Sequence, residues 1–195
     1  MDPTPEPLAR FEAWLAEASE KEPNDPNAMT LATASPSGRP SARIVLLKGA
    51  DVRGFVFYTN LESRKSLEIK ENPNVALLFH WKSLRRQVRI EGPIQPVAPD
   101  EADAYFATRP ALSRLGAWAS DQSRPLPDRA TLEARLAAAR ERFPDEQAIP
   151  RPPHWSGWRL VPELYEFWQD MPFRLHRRDL YTRAGSEWQA TLLYP

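Results

Sequence analysis

The sequence predicts an α+β fold built around an antiparallel sheet or barrel. Short apolar runs, bounded by turn residues, are typical of strands, and helical patterns stand between groups of these runs. The first three runs follow one another through short turns such as Ser35-Pro36-Ser37-Gly38, as in an antiparallel meander. Strands and helices that are grouped in this way indicate an α+β domain.

The first predicted element is an amphipathic helix that begins at Pro7 and ends near Lys21, with Leu8, Phe11 and Trp14 on its apolar face. The strands of the meander cover Ala28–Ala34, Ser41–Lys48 and Gly54–Thr59. The later helices are predicted over Arg64–Glu71, capped by Ser63, and over Asp100–Thr108, Ala111–Ser120 and Asp128–Phe143. The later strands are predicted over Val75–Trp81, Arg86–Ile94, Trp158–Val161, Leu164–Trp168, Asp179–Arg183 and Trp188–Leu193.

The composition excludes several classes of protein. Lys plus Arg equals Asp plus Glu at 26 each, so no net charge favours nucleic acid or a membrane surface, and an anion site has to be a local cluster of cations. The absence of cysteine excludes disulfides and thiolate chemistry. No apolar run approaches the roughly 20 residues of a membrane span, and Met1–Arg10 has no signal-like segment, so we expect a cytoplasmic protein.

One predicted strand carries charges at both of its ends. In Arg43-Ile44-Val45-Leu46-Leu47-Lys48 the apolar residues lie between two cations without polar alternation, which predicts a strand covered on both faces. Neighbouring side chains point to opposite faces, so Arg43 and Lys48 should diverge unless a bulge intervenes or the strand ends at Lys48. Charges at the ends of a buried strand require anionic partners, either carboxylates or a bound anion. Further cations nearby favour a ligand.

A second group of cations stands at the start of a predicted helix. Ser63, Arg64 and Lys65 open that helix, where free amides and the helix dipole favour anions, and the hydroxyls of Tyr58 and Thr59 precede them. Glycine-rich phosphate motifs are absent from the sequence, so side chains and a helix end would have to hold any phosphate. The alternative interpretation is an ordinary cap followed by solvated charges.

A third group consists of Tyr105, Arg109 and Ser113, which are spaced four residues apart. Continuous helical winding would align them on one face, and Pro110 interrupts the winding but can leave the three side chains converging. Phenol, guanidinium and hydroxyl together suit a phosphate monoester. The alternative is that Arg109 pairs with Asp103 or Glu101.

The last group lies near the C-terminus. In an extended chain Arg174, His176 and Arg178 would share one face, and a histidine between two arginines would tend to stay neutral. A metal site is not expected, because the histidines His80, His154 and His176 have no ligand spacing.

With these groups in this order, the sequence closely resembles the pyridoxine (pyridoxamine) 5'-phosphate oxidase family from about Asp25 to the C-terminus. The residues that carry the resemblance are Arg43–Lys48, Phe57–Asn60, Ser63–Lys65, Arg86–Val88, Tyr105–Phe106 with Arg109–Pro110, Gly116–Trp118, Gln122–Ser123, Glu166–Gln169 and Arg174–His176.

The resemblance implies a split β-barrel that acts as a homodimer, with one FMN at each of two interfacial sites. The length predicts a single domain over residues 1–195, with an N-terminal helix and arm over 1–24 and C-terminal strands over 150–195, and by the resemblance those strands carry a substrate motif. The residues implied to hold FMN are Arg43, Ile44, Val45, Leu46, Leu47, Lys48, Tyr58, Thr59, Ser63, Arg64, Lys65, Gln87, Gln122, Ser123, Trp168 and Arg178. Those implied to bind substrate are Lys48, Tyr105, Arg109, Ser113, Arg174, Leu175 and His176, of which Arg174 and His176 would lie closest to the reacting carbon.

The implied reaction is the oxidation of pyridoxine or pyridoxamine 5'-phosphate to pyridoxal 5'-phosphate. By this resemblance hydride would pass from C4' to flavin N5, and oxygen would reoxidise the flavin and yield hydrogen peroxide; the imine formed from the amine would be hydrolysed by water to the aldehyde and ammonia. Two departures from the family pattern stand beside His176. Asp170-Met171-Pro172-Phe173 replaces a turn that usually contains glycine, and Arg177 occupies a position where an acidic residue is common, which is expected to add positive charge.

Two other functions remain open from the sequence. One is a related flavin oxidase that acts on another ring system, such as the phenazine-biosynthesis relatives, for which the phosphate-binding set of Lys48, Tyr105, Arg109 and Ser113 is not required. The other is a non-catalytic protein that binds FMN or pyridoxal phosphate on the same barrel. A nucleic-acid module fits the neutral net charge poorly.

Overall fold

A curled antiparallel sheet forms the centre of the molecule in a computed structural model that describes residues 6–195. Residues 1–5, the start of the predicted N-terminal arm, lie outside the described residues. The helices are α1 (Glu6–Lys21), α2 (Arg64–Glu71), α3 (Pro99–Ala107), α4 (Ala111–Ala119) and α5 (Arg129–Arg142). The strands are β1 (Ala28–Ala34), β2 (Pro40–Leu46), β3 (Gly49–Asp51), β4 (Gly54–Asn60), β5 (Asn74–Trp81), β6 (Arg86–Pro96), β7 (Trp155–Leu160), β8 (Leu164–Gln169), β9 (Arg177–Ala184) and β10 (Glu187–Leu193).

The long strand β6 divides the sheet into the two parts of a split barrel. Its first half pairs with β5 and β8, within a run of strands in the order β10-β9-β8-β6-β5-β1-β2. Its last residues, Ile94–Pro96, pair with β7, which pairs in turn with β4, and β4 with β3. All of these pairings are antiparallel. The predicted α+β class with an antiparallel split barrel is therefore confirmed.

The predicted meander is only half correct. The β1–β2 hairpin forms, with Thr33 opposite Ser41, but β4 pairs with β3 and β7 instead of continuing from β2. The reason is burial: β4 is buried at every residue except Tyr58, and the backbone groups of a buried strand need partners on both edges. Strand β3 supplies one edge and β7 supplies the other.

Strand β2 is not covered on both faces, so that prediction is wrong for the single chain. Its residues alternate between exposed and half-buried; Ile44 is 64% exposed and Leu46 is 38% exposed. The strand ends the sheet beside β1, and only the face that carries Arg43 contacts α2. Arg43 and Lys48 do not share a site: Arg43 donates to Glu68 of α2, whereas Lys48 lies beyond the end of β2 at Leu46 and lines a cavity that Arg43 does not reach.

The main core joins α1 to the sheet. The Phe11 ring lies 4.8 Å from Phe55 and 5.0 Å from Phe79, in edge-on geometry, and Leu31 and Leu77 are fully buried beside them. A smaller core of Phe106, Leu115, Ala139, Ile149 and Trp155 packs α3, α4 and α5 together. None of the helices formed by residues 6–195 is long and apolar enough to cross a membrane.

Candidate active site

A cavity of about 720 Å³ opens between β2, β4, α3 and α4. This volume lies in the usual range for small-molecule sites. Three cations, Lys48, Lys65 and Arg109, line the cavity, and no carboxylate does so among the residues that the structure describes. The other lining residues are Ile44, Val45, Leu46, Tyr58, Thr59, Asn60, Tyr105, Thr108, Pro110, Ser113, Gly116, Ala117, Ser120, Gln122 and Trp155. The charge of the lining favours an anionic ligand.

Stacked aromatic rings form one wall of the cavity. The Tyr58 and Tyr105 rings are 4.0 Å apart at 12°, and the Trp155 ring lies nearly parallel to Tyr58 at 5.4 Å. Tyr58 can lie flat because Gly157 stands opposite it on β7; a Cβ at that glycine would come within 2.7 Å of the Tyr58 ring. Burial, reinforced by Glu101, raises the pKa of Tyr58 to about 12, so its hydroxyl keeps its proton at neutral pH.

Arg109 is a half-buried cation that has no anionic partner in residues 6–195. Its guanidinium lies 4.7 Å from the centre of the Trp155 ring, and its buried Nη1 makes no hydrogen bond to the described residues. Burial lowers the pKa of Arg109, although an arginine remains charged. The alternative pairings are excluded, because Asp103 accepts from Arg151 and Glu101 accepts from Arg159, each at 2.6 Å. Arg109 is thus available to an anion that enters the cavity.

Among the residues that the structure describes, Lys65 is a buried cation whose hydrogen-bond partners are all neutral. Its side chain is 8% exposed, and Nζ donates to Thr59 Oγ1 at 3.0 Å, Ser63 Oγ at 3.1 Å and Gln122 Oε1 at 3.3 Å. Burial, together with the nearby charge of Arg43, lowers the pKa of Lys65 to about 8. Burying an ammonium without a carboxylate partner costs free energy, and an anion bound at the N-terminus of α2 would offset that cost.

The predicted anion site at the start of α2 is partly occupied by a carboxylate of the chain itself. Glu68 accepts from Arg43 Nη2 at 3.2 Å and from Arg64 Nε at 2.8 Å. Burial acts to raise the pKa of Glu68, but hydrogen bonds from Thr33, Arg64 and Arg43 outweigh it and leave the pKa below its usual value. Within this chain, therefore, Arg43 meets a carboxylate, as the alternative interpretation allowed, while the Arg64 side chain stays 61% exposed.

Ser63 stands at the N-cap position of α2, as predicted, but its side chain makes no capping hydrogen bond. Its hydroxyl donates to the carbonyl of Asn60 at 2.7 Å and accepts from Lys65 Nζ. Since the hydroxyl is fully buried between these two groups, it positions the lysine instead of closing the helix end.

A second group of predicted residues lies on the outer face of the sheet, away from the cavity. Gln87, Trp168 and Arg178 stand side by side in register on β6, β8 and β9. The His176 ring lies 4.7 Å from Trp168, and Arg178 Nε donates to Glu166 at 2.7 Å. None of these side chains lines the cavity described above.

The C-terminal motif is a turn and not an extended run. Residues 172–174 form a 3₁₀ turn, in which Phe173 and Arg174 have φ values of 58° and 61°, and β9 begins only at Arg177. The prediction that Arg174, His176 and Arg178 share one strand face is therefore wrong. The left-handed backbone at two successive residues reverses the chain direction before the strand can begin.

The Arg177 guanidinium, which was expected to add positive charge beside His176, is paired with Asp179 instead. Arg177 Nε donates to Asp179 at 2.9 Å, while His176 Nδ1 lies 3.1 Å from Asp170 Oδ1. The neighbour that contacts the histidine is thus a carboxylate, which the sequence patterns did not single out as a site residue.

Three other predicted residues do not line the cavity. Leu47 is 6% exposed and packs into the main core, whereas Ser123 and Leu175 are exposed; Ser123 has a φ of 74°. Conversely, Trp155 and Asn60 line the cavity but were not predicted as site residues. Asn60 belongs to a motif that carried the resemblance, while no spacing in the sequence links Trp155 to Arg109.

A second cavity, of about 810 Å³, lies on the sheet surface between β1, β5, β6, β8 and β9. Its charged lining residues are Glu91, Glu163 and Arg183, and no cluster of like charges or stacked rings lines it among the described residues. The smaller cavity is the better candidate for chemistry, because it contains Lys65 and Arg109, which have no anionic partner among the described residues.

These features define the chain as an antiparallel split-barrel protein with a cationic, aromatic-walled ligand cavity. Residues 15–143 match the family model described as pyridoxamine 5'-phosphate oxidase, and residues 155–195 match the pyridoxine 5'-phosphate oxidase C-terminal dimerisation region. The chain belongs to the pyridoxamine 5'-phosphate oxidase family.

Similar proteins cover almost the whole chain. A pyridoxine/pyridoxamine 5'-phosphate oxidase from Gluconobacter oxydans is 64% identical over 190 residues, covering 97% of this chain and 94% of the relative. One from Rhodospirillum rubrum is 60% identical, covering 97% and 96%. The structure of PhzG from Burkholderia lata in complex with tetrahydrophenazine-1-carboxylic acid matches with a TM-score of 0.92 and 36% identity, over 100% of this chain and 95% of that one.

Proposed function

We propose that this protein oxidises pyridoxine 5'-phosphate and pyridoxamine 5'-phosphate to pyridoxal 5'-phosphate, with FMN as cofactor and oxygen as electron acceptor. The names of relatives at about 60% identity that cover almost the whole chain support this proposal. When bound, FMN supplies a two-electron acceptor that oxygen can regenerate. The side chains of the protein have to bind two phosphorylated molecules and orient them toward each other.

The observation that carries the proposal is the unpartnered guanidinium of Arg109 in the cavity. Nη1 of Arg109 is buried without a hydrogen bond to residues 6–195, and Lys48, Tyr105 and Ser113 line the same space. Two cations and two hydroxyls around one void match the donors that a phosphate monoester requires. These four residues are therefore the proposed clamp for the substrate phosphate.

The surroundings of Lys65 fit the phosphate of FMN. Lys65 is buried against Thr59, Ser63 and Gln122, all neutral, at the first turn of α2. A phosphate at this helix end would accept hydrogen bonds from the Lys65 ammonium and from the free amides of α2. The exposed side chain of Arg64 could also reach it after rotating. The chain's own residues thus present a phosphate-binding set that is separate from the proposed substrate clamp.

We propose that two chains form a homodimer and complete each site together. The cavity residues and the outer-face group of Gln87, Trp168 and Arg178 do not meet within one chain, although the resemblance assigns both to one flavin. The match to a dimerisation region over residues 155–195 and the exposed apolar side chains of Ile44 and Leu46 support association with a second chain.

Each chain is proposed to act as a single domain. The N-terminal helix contributes Leu8 and Phe11 to the same core as Phe167 and Tyr181 of the C-terminal strands. Arg10 of α1 also donates to Asp179 of β9 at 2.7 Å. These contacts tie both ends of the described chain to one sheet.

Arg174 and His176 are the proposed neighbours of the reacting carbon. Arg174 is exposed on its turn and has no ion-pair partner in the described part of the chain, so it is available to a partner molecule or a substrate ring. His176 packs against Trp168, which fixes the plane of its ring. Their proposed role is orientation of the substrate, with the proton of the oxidised hydroxyl or ammonium passing to a nearby acceptor.

The structural match to PhzG, which carries a tetrahydrophenazine carboxylic acid, makes oxidation of another ring system the second candidate function. A tricyclic substrate without phosphate would leave Arg109 and Lys48 without their proposed partner. The cationic cavity therefore favours the phosphorylated pyridine. A binding protein without turnover is the third candidate, and a reduction assay separates it from both oxidases.

The decisive experiment is anaerobic reduction of the FMN-loaded protein. Adding pyridoxine 5'-phosphate should bleach the visible flavin band, and air should restore the band as pyridoxal 5'-phosphate appears. A yellow protein that does not bleach would exclude this substrate, and a protein that takes up no FMN would exclude the flavin oxidase altogether.

A matched pair of arginine variants tests the phosphate clamp in the same assay. Arg109→Ala should raise KM for pyridoxine 5'-phosphate at least tenfold, since a charged hydrogen bond contributes about 1.5–3 kcal/mol. Arg129→Ala, at an 80% exposed position on α5, should leave KM unchanged. Equal KM values for the two variants would remove Arg109 from the clamp.

A further inference from the structure

Arg159 of strand β7 is a buried arginine that the proposed function does not use. Its side chain is 6% exposed, and it donates from Nη1 to Asp51 Oδ1 at 3.1 Å and from Nη2 to Glu101 Oε1 at 2.6 Å. Asp51 ends strand β3 and Glu101 lies in the first turn of helix α3, so one guanidinium joins three separate elements. Neither the sequence patterns nor the family resemblance assigns a role to Arg159.

The first carboxylate connects Arg159 to the lysine of the proposed phosphate clamp. Lys48 immediately precedes β3, three residues before Asp51, and its amide donates to the carbonyl of Val56 at 2.8 Å. Val56 of β4 is paired in register with Arg159 of β7. The backbone at Lys48 is therefore joined to the position of Arg159 through β4, while the Arg159 side chain holds the other end of β3.

The second carboxylate connects the guanidinium to the other half of the clamp. Tyr105 lies four residues, about one helical turn, after Glu101 on α3, and Arg109 follows the end of that helix. Two residues of α3, Ala102 and Phe106, are buried, so this short helix makes a limited apolar contact with the rest of the chain. The ion pair at Glu101 is therefore a substantial part of what holds α3 against β7.

A second arginine lies beside the same two carboxylates but is exposed. Arg53 donates to Asp51 at 2.9 Å and 2.6 Å and lies 4.0 Å from Glu101, yet its side chain is 64% exposed. Solvent weakens ion pairs of exposed side chains, whereas the loss of one partner from a buried pair is costly. The connection between β3 and α3 should therefore depend on Arg159 and not on Arg53.

We propose that Arg159 is a positioning residue that holds β3 and α3 at the spacing that the substrate phosphate requires. Lys48 enters the clamp from the β3 side, and Tyr105 and Arg109 enter it from the α3 side. Because small displacements of binding groups weaken their contacts with a ligand, a guanidinium bonded to both elements supports the clamp without lining the cavity itself. The identity of the substrate rests on the proposed function.

Calorimetric titration of the FMN-loaded protein with 4'-deoxypyridoxine 5'-phosphate tests this spacing without turnover. The probe keeps the phosphate but has no hydroxyl on C4' for the flavin to oxidise. Arg159→Met should raise its dissociation constant about tenfold, as expected when one charge-assisted hydrogen bond to the phosphate is lost. Arg53→Met is the matched control: it removes a cation from the same carboxylates and should leave the constant within about twofold of wild type.

Three further measurements separate positioning from a general loss of structure. The dissociation constant for FMN should be unchanged in Arg159→Met, because the proposed flavin phosphate site at Lys65 lies on α2. In anaerobic flavin reduction, the concentration of pyridoxine 5'-phosphate at half the maximal rate should rise about tenfold, with the maximal rate changed less than about twofold. Arg159→Met combined with Arg109→Ala should weaken probe binding by less than the product of the single effects, because both changes weaken the same phosphate contact.

A milder variant tests the α3 half of the connection even if Arg159→Met does not fold. Glu101→Gln keeps an acceptor oxygen and loses the charge, at a side chain that is 28% exposed. It should raise the dissociation constant of the probe about threefold, since neutral hydrogen bonds are weaker than charged ones.

An unchanged dissociation constant in folded Arg159→Met, or in Glu101→Gln, would overturn the inference. An equal rise in Arg53→Met, or a parallel loss of FMN affinity in Arg159→Met, would overturn it as well. Failure of the wild-type flavin to bleach with pyridoxine 5'-phosphate is a different result: it would exclude the proposed oxidation, while the affinities for the probe would still decide the role of Arg159. A wild-type protein that does not bind the probe would overturn both.

Discussion

The rings of Tyr58 and Tyr105 stack face to face, 4.0 Å apart, and this contact joins strand β4 to helix α3. Four residues after Tyr105, Arg109 lies over Trp155, whose ring is nearly parallel to both tyrosines. The stack therefore sets the position of the helix end from which the proposed phosphate clamp projects. The ring of Tyr105 packs against Tyr58, and its hydroxyl belongs to the proposed clamp. Substitutions can test these two roles separately.

Two substitutions of Tyr105 should have different effects. Tyr105→Phe keeps the stacked ring and loses the hydroxyl, so KM for pyridoxine 5'-phosphate should rise up to about tenfold with no change in stability. Tyr105→Ala also removes the stack and should lower the free energy of unfolding by about 2 kcal/mol. Urea unfolding and steady-state kinetics measure the two effects. Loss of stability in the phenylalanine variant would contradict this division.

The stability of the flavin-free protein should rise with pH in a window set by Lys65. Its pKa in the folded protein, about 8, lies below the ordinary 10.5, so the unfolded chain binds more protons between these two values. Stability therefore increases with pH across this window, by at most about 3 kcal/mol from this group. Urea midpoints of wild type and Lys65→Met across the window would check this; parallel pH profiles would show that Lys65 is not the source.

The affinity for FMN should fall as pH rises, whereas the stability of the flavin-free protein should increase. If the flavin phosphate pairs with the charged ammonium, binding weakens as Lys65 loses its proton above about pH 8. Between about pH 7 and pH 9 the dissociation constant should rise about tenfold, as linkage to one group requires. Quenching of FMN fluorescence measures it. Lys65→Met should bind weakly at every pH, and a persisting step in that variant would assign the effect to another group.

The carboxylate of Glu166 should stabilise the outer face of the sheet. Burial acts to raise its pKa, but hydrogen bonds from Arg178 and Arg89 outweigh burial and leave the pKa below the ordinary 4.5. The stabilisation is present above that ordinary value and is lost as pH falls through the lower folded-state value. At neutral pH, Glu166→Gln should cost about 2 kcal/mol, because one arginine then faces an NH2 group and the other keeps only a neutral acceptor.

The measurement is urea unfolding at neutral and acid pH. The difference between wild type and Glu166→Gln should shrink at acid pH, where the wild-type carboxyl is protonated. Glu133→Gln, at a 68% exposed position on α5, is the matched control and should match wild type throughout. A glutamine variant as stable as its control would contradict the predicted role of Glu166.

Mixed dimers should reveal whether two chains share each site. Arg109→Ala damages the cavity and Arg174→Ala damages the C-terminal turn, so each homodimer should be nearly inactive. In a mixed dimer with shared sites, one site carries both changes and the other carries neither. Unfolding and refolding an equal mixture should therefore restore about a quarter of wild-type activity, from random pairing. Sites contained within single chains would show no recovery.

Local patterns in the sequence were sufficient for most of the elements. The bounds of α2 were predicted to the residue, and α5 begins at Arg129 with Asp128 as its cap, where the sequence carries a strong helix-start signal. The pairing of β4 with β7 was not predictable in this way. It joins Phe57 to Trp158 across about 100 residues of chain, and no local periodicity records such a partner.

The site was predictable only in part, for a similar reason. Helical spacing of four residues placed Tyr105, Arg109 and Ser113 at one cavity, although Pro110 separates α3 from α4. The sequence could not decide whether Arg43 meets a carboxylate or a ligand, because its partner Glu68 lies on another element. The contact between Asp170 and His176 depends on two left-handed residues, neither of them a glycine, which turn preferences do not indicate.

Substitutions of Gly157 on β7 should damage the cavity, although this residue has no side chain of its own there. A methyl group there would stand 2.7 Å from Tyr58 and 2.9 Å from Val97, and the tyrosine ring is held in place by its stack on Tyr105. In a library of random variants, every substitution at this position should thus be selected against together with changes in the phosphate clamp. Gly157 would then be classed with the binding-site residues, although it has no side chain. The loss of activity on its substitution would measure how closely the aromatic wall packs against β7.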